Sequence, residues 1–312
     1  MGKILLFYKY VHIQYPKQIL KWQKKVCKEL GLTGRILLGH EGINGTLGGT
    51  VENTDKYKEI MNGHPLFDGI DFKEAHGGAE YFPRLYVTVR NEIVHLGVDP
   101  EKITPADGGK HLTPDEVHEL IKKHPDNLII LDTRNDYEWR IGRFESPNTK
   151  TILPDIQNFR ELPQYLDEHL NEFKDKEVLM YCTGGIRCER ATSYLKSKHV
   201  AKEVYQIKGG IQRYTEKYPD GFFRGKNYVF DGRVADKIND DILTTCDICN
   251  IAYDEYTNCV NTKCNKHYIA CDPCIKTLKN CCSTTCYDLV DKKEVTIRTK
   301  PLKVQIGTSC TF

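Results

Sequence analysis

The sequence predicts an α/β protein in three parts. These are a small α+β unit over residues 1–105, a parallel-sheet domain over 106–225, and a connector with a cysteine-rich, metal-binding region over 226–312. Three observations carry this expectation. Strand-like and helix-like runs alternate through the middle of the chain, the pattern of a parallel sheet covered on both faces. A cysteine stands between one such strand and the next helix, in the loop Cys182-Thr183-Gly184-Gly185-Ile186-Arg187-Cys188. All of the 13 cysteines except Cys27, Cys182 and Cys188 crowd into the stretch from Cys246 to Cys310.

In the first unit, Lys3 to Val11 alternates as a strand. Pro16 to Leu30 reads as a helix, with Ile19, Leu20, Val26 and Leu30 on one face and Pro16 at its start. Gly34 to Leu38 and Asn44 to Leu47 are short strands around Gly39-His40-Glu41-Gly42-Ile43. Asn53 to Met61 is a second helix, and Gly69 to Ala75 and Leu85 to Val89 are further strands. Strands with two interposed helices fit a ferredoxin-like sandwich. Residues 99–111 hold two prolines and two glycines and read as a linker. Thr113-Pro114-Asp115-Glu116 then opens a helix with a capping box.

The middle domain continues with a strand at Asn127 to Asp132, a helix at Glu161 to Phe173 and a strand at Val178 to Tyr181. A helix at Glu189 to His199, a strand at Val204 to Ile207 and a short helix at Gly209 to Tyr218 complete it. Functional groups in such sheets gather at the carboxyl ends of the strands, where Asp132 and Cys182 stand. A cysteine there, followed by Thr183, Gly184, Gly185, Ile186 and Arg187, builds an anion cradle. Backbone N–H groups and the positive helix terminus point at the sulfur, which favours a thiolate and makes Cys182 the expected nucleophile.

Around that loop the residues leave choices open. Arg187 is expected to close the cradle. Arg134 either binds an anion near Cys182 or joins Asp132 and Glu138 in ion pairs that fix their loop. Arg190 either reaches a phosphate or is a solvated charge. Cys188 either resolves an oxidised or persulfidated Cys182 or packs as a small apolar side chain. His40 and Asn44, in the glycine-punctuated His40-Glu41-Gly42-Ile43-Asn44-Gly45-Thr46, either contact a nucleic-acid substrate or belong to a tight hairpin.

The tail reads Cys246-x2-Cys249, Cys259-x4-Cys264, Cys271-x2-Cys274, then Cys281, Cys282 and Cys286. Two C-x2-C knuckles at this separation are a strong zinc signature. Cys246, Cys249, Cys271 and Cys274 make the simplest site. Cys259 and Cys264, with two of Cys281, Cys282 and Cys286 or with His267, make a second, so one or two structural zinc ions are expected. Spacing alone leaves an interleaved cross-brace open, and iron–sulfur binding is a further alternative.

Composition narrows the class. The chain has 312 residues, 39% hydrophobic and 28% charged, which suits folded domains with substantial cores. A net charge of +2 announces neither a nucleic-acid binder nor a membrane-surface protein, although a local basic patch is compatible with it. No apolar run is long enough for a membrane span. The N-terminus lacks the long apolar core and small-residue cleavage site of a signal peptide. A cytoplasmic location with reduced thiols is expected.

The loop Cys182-Thr183-Gly184-Gly185-Ile186-Arg187-Cys188-Glu189 resembles the active-site loop of rhodanese domains. More narrowly, the chain is similar to the rhodanese-containing tRNA uridine hydroxylase family. Glu41-Gly42-Ile43-Asn44-Gly45-Thr46, Asp132-Thr133-Arg134-Asn135-Asp136-Tyr137-Glu138, Phe159-Arg160-Glu161-Leu162-Pro163, Lys208-Gly209-Gly210-Ile211 and Val229-Phe230-Asp231-Gly232-Arg233-Val234 extend the likeness to about residue 290. His40 departs from the usual small residue, Arg190 from the usual lysine, and the tail carries extra cysteines. The resemblance implies an acylphosphatase-like first domain that engages tRNA and a rhodanese fold in the middle. It also implies oxygen-dependent 5-hydroxylation of uridine 34 through Cys182. Neither a flavin nor a nicotinamide fingerprint is present in the sequence. The alternative function is a sulfurtransferase that takes sulfane sulfur from a small donor onto Cys182. Oligomeric state is not legible.

Overall fold

The computed structural model describes residues 2–123 and 126–298. The chain divides into two compact units, residues 1–139 with 144–223, and residues 140–143 with 224 onward.

The first unit begins with β1 (Gly2–Tyr10), α1 (Pro16–Glu29), β2 (Thr33–Gly39), β3 (Gly42–Thr50), α2 (Val51–Asn62), β4 (Lys73–His76) and β5 (Leu85–Val89). The strands form one sheet in the order β4-β1-β3-β2-β5. Its first four strands pair antiparallel, as a ferredoxin-like sandwich requires, and β5 joins parallel to β2. Leu5 and Phe7 of β1, Ile36 and Leu38 of β2, and Ile43 and Leu47 of β3 bury one face of the sheet. The core there also takes Val26 and Cys27 from α1 and Tyr57 and Met61 from α2. The residues alternating with Leu5 and Phe7 (Ile4, Leu6, Tyr8 and Tyr10) point to the opposite face.

The glycine-rich motif is explained by this sheet. Gly39 and Gly42 are paired across a two-residue turn, and Gly42 also lies opposite Tyr10 of β1. A Cβ on Gly42 would sit 2.1 Å from the Lys9 carbonyl oxygen. Gly45 lies opposite Phe7, and a Cβ there would meet the Phe7 ring at 2.4 Å. The strands at β3 are longer than the sequence suggested, because glycine is used here for close packing and not only for turns.

The chain continues through β6 (Lys110–Leu112), α3 (Pro114–Lys123), β7 (Leu128–Asp132), α4 (Asp136–Trp139), β8 (Gly142–Phe144), β9 (Lys150–Ile152), α5 (Leu162–Glu168), α6 (Leu170–Phe173), β10 (Glu177–Tyr181), α7 (Ile186–Ser197), β11 (Glu203–Ile207) and α8 (Gly210–Lys217). β6-β11-β10-β7-β9 form an all-parallel sheet. Its central strands β7 and β10 are buried on both faces. The helix expected over 161–173 is broken at His169. The imidazole Nδ1 donates to the Tyr165 carbonyl at 2.7 Å, taking the acceptor that the next helical N–H would have used.

The proline- and glycine-bearing stretch before the parallel sheet is strapped down, not a free linker. Leu96 and Ile103 lie in the core of the parallel-sheet domain, and Lys110–Leu112 is one of its strands. Arg190 of α7 does this strapping. Its buried guanidinium donates to the carbonyls of Val98 (2.6 Å) and Ile103 (3.1 Å) and pairs with Glu92. Arg190 is therefore neither a solvated charge nor placed for a phosphate.

The second unit carries β12 (Phe223–Tyr228), β13 (Ala235–Lys237), β14 (Tyr256–Asn258), β15 (His267–Ile269), α9 (Asp272–Thr277) and α10 (Thr284–Asp291). β12 and β13 pair antiparallel, as do β14 and β15. Cys246, Cys259, Cys271, Cys281 and Cys286 gather with Tyr268 and Ala270 in its interior.

Substituting Gly42→Ala should lower the free energy of unfolding by about 2 kcal/mol or more, since overpacking against backbone cannot relax. Gly63→Ala, where φ is −74° and the nearest atom lies 3.4 Å from the new Cβ, should change it by less than about 1 kcal/mol. Urea unfolding followed by circular dichroism compares the two.

Candidate active site and metal centre

Strand β10 delivers Cys182 at its carboxyl end. The backbone turns through Gly185 at φ 101°, and α7 starts at Ile186. This left-handed residue is what lets three backbone N–H groups of one turn face one sulfur atom. The Gly185 N–H donates to Cys182 Sγ at 3.1 Å, and the N–H groups of Arg187 and Cys188 donate to it as well. Burial alone would raise the thiol pKa. The S–H of Cys188 donated to the sulfur, the Arg187 charge and those N–H groups outweigh burial and bring it down to about 6. Burial pushes the Cys188 thiol the other way, well up, and the neighbouring Cys182 adds to that. The proton of the pair rests on Cys188 and the charge on Cys182.

The structure brings Thr183, Gly184, Gly185, Ile186 and Arg187 together around this sulfur, but Arg187 acts differently from the expectation. Its guanidinium grips Glu138 with both terminal nitrogens (2.5 and 2.7 Å), while Thr183 Oγ1 lies 3.4 Å from one of them. It thus supplies the sulfur with a backbone donor and a nearby charge. Arg134 is fully buried and donates to both oxygens of Asp132 (2.9 and 2.7 Å), with Tyr181 stacked beside it. Its charge is neutralised by Asp132, in agreement with the ion-pair reading of that loop. The Glu138 carboxylate also accepts the Asn135 N–H at 3.1 Å.

Two clasps hold the loop from outside. The N–H groups of Ile211 and Gln212 at the start of α8 donate to the carbonyls of Cys182 and Thr183. A Cβ on Gly210 would come within 2.5 Å of the Cys182 carbonyl oxygen, which accounts for the glycine pair before that helix. From the other side comes β1. A Cβ on Gly185 would touch the Tyr8 hydroxyl at 2.8 Å, one on Gly184 would touch Leu6 at 3.0 Å, and the Tyr10 hydroxyl lies 3.5 Å from the Ile186 carbonyl. The Tyr8 hydroxyl donates to Glu189 at 2.9 Å. His111 and Gln206 reach the same carboxylate. Lys73, also buried, stands over the Tyr8 ring at 5.4 Å. Leu6, Tyr8 and Tyr10 were not singled out from the sequence. The available signal was that β1 is apolar or aromatic at both alternations, so both its faces need cover.

His40 and Asn44 are both in the hairpin. The exposed His40 bonds the Ile13 carbonyl through Nδ1 at 3.0 Å. Asn44 donates to the Ile93 carbonyl at 2.8 Å, while Glu41 accepts the Ile93 N–H at 2.6 Å. Asn44 and Glu41 thus pin both polar groups of Ile93.

The tail cysteines form two groups that can hold a metal ion. Cys246, Cys249, Cys271 and Cys274 make one, and Cys259, Cys264, Cys282 and Cys286 the other, with the sulfur atoms of each group within 4.8 Å of one another. Of the three cysteines left open for the second group, it takes Cys282 and Cys286 and omits Cys281. The S–H groups at 264 and 282 are 3.6 Å apart, and those at 282 and 286 are 3.8 Å apart. Cys281 is instead buried in the interior beside them. Nor does His267 join: its imidazole lies by Asn258 and stacks on Tyr256. The pairs alternate between the two groups along the chain, which is a cross-brace. Cys310 lies outside the described residues.

Comparison with known proteins agrees with this architecture. A UPF0176 acylphosphatase-like domain matches residues 2–93, a rhodanese-like domain residues 113–217, and a rhodanese C-terminal domain residues 224–287. A tRNA uridine(34) hydroxylase of Cytophaga hutchinsonii is 42% identical over 91% of this chain and 89% of its own length. The chain belongs to the tRNA uridine(34) hydroxylase family. Members with the same name from Corynebacterium urealyticum (40% identical; 88% of this chain, 93% of that protein) and Chlamydia felis (39%; 90% and 86%) are similarly close. Among the described residues, no helix is long and apolar enough to cross a membrane.

The depressed thiol should be visible directly. The ultraviolet thiolate absorbance of the wild type, less that of Cys182→Ser, should titrate with a midpoint near pH 6. Because the folded value lies below the unfolded one, the thiolate adds stability above the unfolded value, and this is lost as pH falls through about 6. The stability gap between wild type and Cys182→Ser should shrink over that interval.

Proposed function

We propose that this chain hydroxylates uridine 34 of tRNA at C5, with molecular oxygen as co-substrate and Cys182 as the nucleophile. The observation that carries the reading is the buried, N–H-cradled Cys182 thiolate in a chain whose relatives bear the name tRNA uridine(34) hydroxylase. A thiolate at this pKa is both present at neutral pH and still nucleophilic. Its addition to C6 of the uracil makes C5 electron-rich, and C5 then combines with oxygen. The base must leave the anticodon stack to reach a cysteine this deep, as in other enzymes that act on bases. In the net change one oxygen atom goes to C5 and the other to water, with two electrons entering from a thiol reductant.

The two cysteine groups are read as structural zinc sites. A zinc ion with four sulfur ligands at about 2.3 Å needs sulfur atoms about 3.8 Å apart. The separations of 3.6 Å for Cys249 and Cys271, 3.6 Å for Cys264 and Cys282, and 3.8 Å for Cys282 and Cys286 suit that ion. Zinc would fix the fold of a segment too short to build its own core. The setting proposed is the cytoplasm, where tRNA and reduced thiols are found together.

The rhodanese-like match supports one other reading, in which the cradle holds a Cys182 persulfide for sulfur transfer. The two part on product. Cells lacking the family's enzyme should regain 5-hydroxyuridine, measured by nucleoside mass spectrometry of bulk tRNA, when given this chain and not when given Cys182→Ser. Failure to regain it with soluble protein present, together with release of thiosulfate sulfur to cyanide, would favour sulfur transfer.

Metal content tests the ligand sets. The purified chain should carry about two zinc ions, one for each group. Cys282→Ala should lose about one of them, whereas Cys281→Ala should keep both, as read by plasma mass spectrometry.

A further inference from the structure

Cys188 touches the Cys182 sulfur, and the proposed reaction leaves its chemistry unused. It is the third residue of α7, fully buried, with its S–H directed at Cys182 Sγ and its own sulfur 3.6 Å from Thr133 Oγ1. Thr133 is in turn held by the Tyr181 carbonyl at 2.9 Å. The helix start and this hydroxyl therefore hold the second sulfur against the first. The pair is also asymmetric: Cys182 carries the charge and Cys188 the proton. That is the arrangement of an attacking thiolate and a resolving thiol.

Resting on the hydroxylase reading above, we propose that Cys182 and Cys188 together supply the two electrons of the hydroxylation, closing to a disulfide in each turnover. Oxygen combining at C5 gives a C5 hydroperoxide after the Cys182–C6 bond has broken and the C5 proton has left. The freed Cys182 thiolate attacks the outer oxygen, the O–O bond breaks, and the inner oxygen takes a proton as the C5 hydroxyl. Cys182 is then a sulfenic acid. The Cys188 sulfur attacks the Cys182 sulfur, its proton leaves with the hydroxyl as water, and the disulfide forms. Uridine, one O2 and two thiols become 5-hydroxyuridine, one water and one disulfide. An external thiol then reduces the disulfide and readies the enzyme for the next round.

The test uses the full chain with its metal, reduced and desalted free of thiol, mixed in air with tRNA lacking 5-hydroxyuridine. The reaction is quenched with N-ethylmaleimide. Trypsin cuts after Arg187, so a Cys182–Cys188 disulfide links two separate peptides. About one 5-hydroxyuridine per chain should form and then stop, with the linked peptides appearing in equal amount, because one disulfide carries two electrons. Dithiothreitol should restart turnover. In Cys188→Ser the thiol-free burst should still give about one 5-hydroxyuridine per chain, because Cys182 alone takes the outer oxygen, but it should leave Cys182 as a dimedone-reactive sulfenic acid with no linked peptides, and dithiothreitol should restore turnover only in part. The wild-type peptide map decides the matter even should that variant fold poorly. Product formed by wild type with both cysteines recovered as maleimide adducts would overturn the inference and leave the hydroxylase reading standing. No product from wild type even with dithiothreitol would overturn both.

Discussion

A charged sulfur atom buried in an apolar core is the constraint on which the surrounding structure depends. Cys182 is fully buried among Leu131, Val178 and Met180, and an uncompensated ion there would cost many kcal/mol. Compensation propagates outward. The sulfur takes N–H groups from a backbone that can only point them inward if Gly185 is left-handed and α7 begins at once. It also takes the field of Arg187, whose own burial then demands Glu138, and Glu138 fixes the loop after β7 through the Asn135 N–H. One anion thus orders two strand ends, a helix start and the loop between them. Asp132 and Arg134, equally buried, form a closed pair beside this chain of compensation and add no net charge to it.

The first domain completes the site and does more than sit before it in the chain. β1 is apolar on both alternations because it serves two masses at once. Leu5 and Phe7 belong to the core beneath the helices, and Leu6, Tyr8 and Tyr10 press on the cysteine loop. Glu189 lies at that seam and accepts from Tyr8, His111 and Gln206, one donor from the first domain and two from the strands of the second. Arg190, the next residue, straps the connecting segment to the same helix. A movement of the first domain against the loop would therefore break hydrogen bonds to α7, the helix that also donates to the Cys182 sulfur. Access to the cysteine and the electrostatics of the cysteine are set by adjacent residues of one turn.

What the sequence made legible follows from locality. The cradle around Cys182 is seven consecutive residues with their conformations dictated by glycine and a helix start, so its geometry could be read from the string. Cys246, Cys249, Cys271 and Cys274 were legible for the same reason, since knuckle spacing is a local geometric property. The choice between Cys281 and Cys282 was not, because adjacent residues differ only in which way the chain turns before α10, and that turn sends Cys282 to the sulfur cluster and Cys281 to the interior. The partners of the Arg187 and Arg190 guanidinium groups were not legible, because a basic residue near an anion site looks alike whether it is spent on protein or kept for substrate. Only the partners decide, and Glu138, Glu92, Val98 and Ile103 lie tens of residues away in sequence. The glycines of the first domain also looked like turn residues, although Gly45 answers to Phe7 across the sheet.

The order of the tail cysteines has a consequence for folding. Cys246 and Cys249 pair with Cys271 and Cys274, and the loop they enclose contains Cys259 and Cys264 of the other group. Closing the first group fixes the ends of that loop and raises the effective concentration of the second group's first two ligands near where Cys282 and Cys286 must arrive. Closing the second group fixes the chain on both sides of Cys271 and Cys274 in the same way. Neither group can be completed from a contiguous stretch, and neither can be emptied without loosening half the ligands of the other. Metal binding in such a segment is coupled to its folding, so emptying one group loosens the other without removing any of its own four ligands.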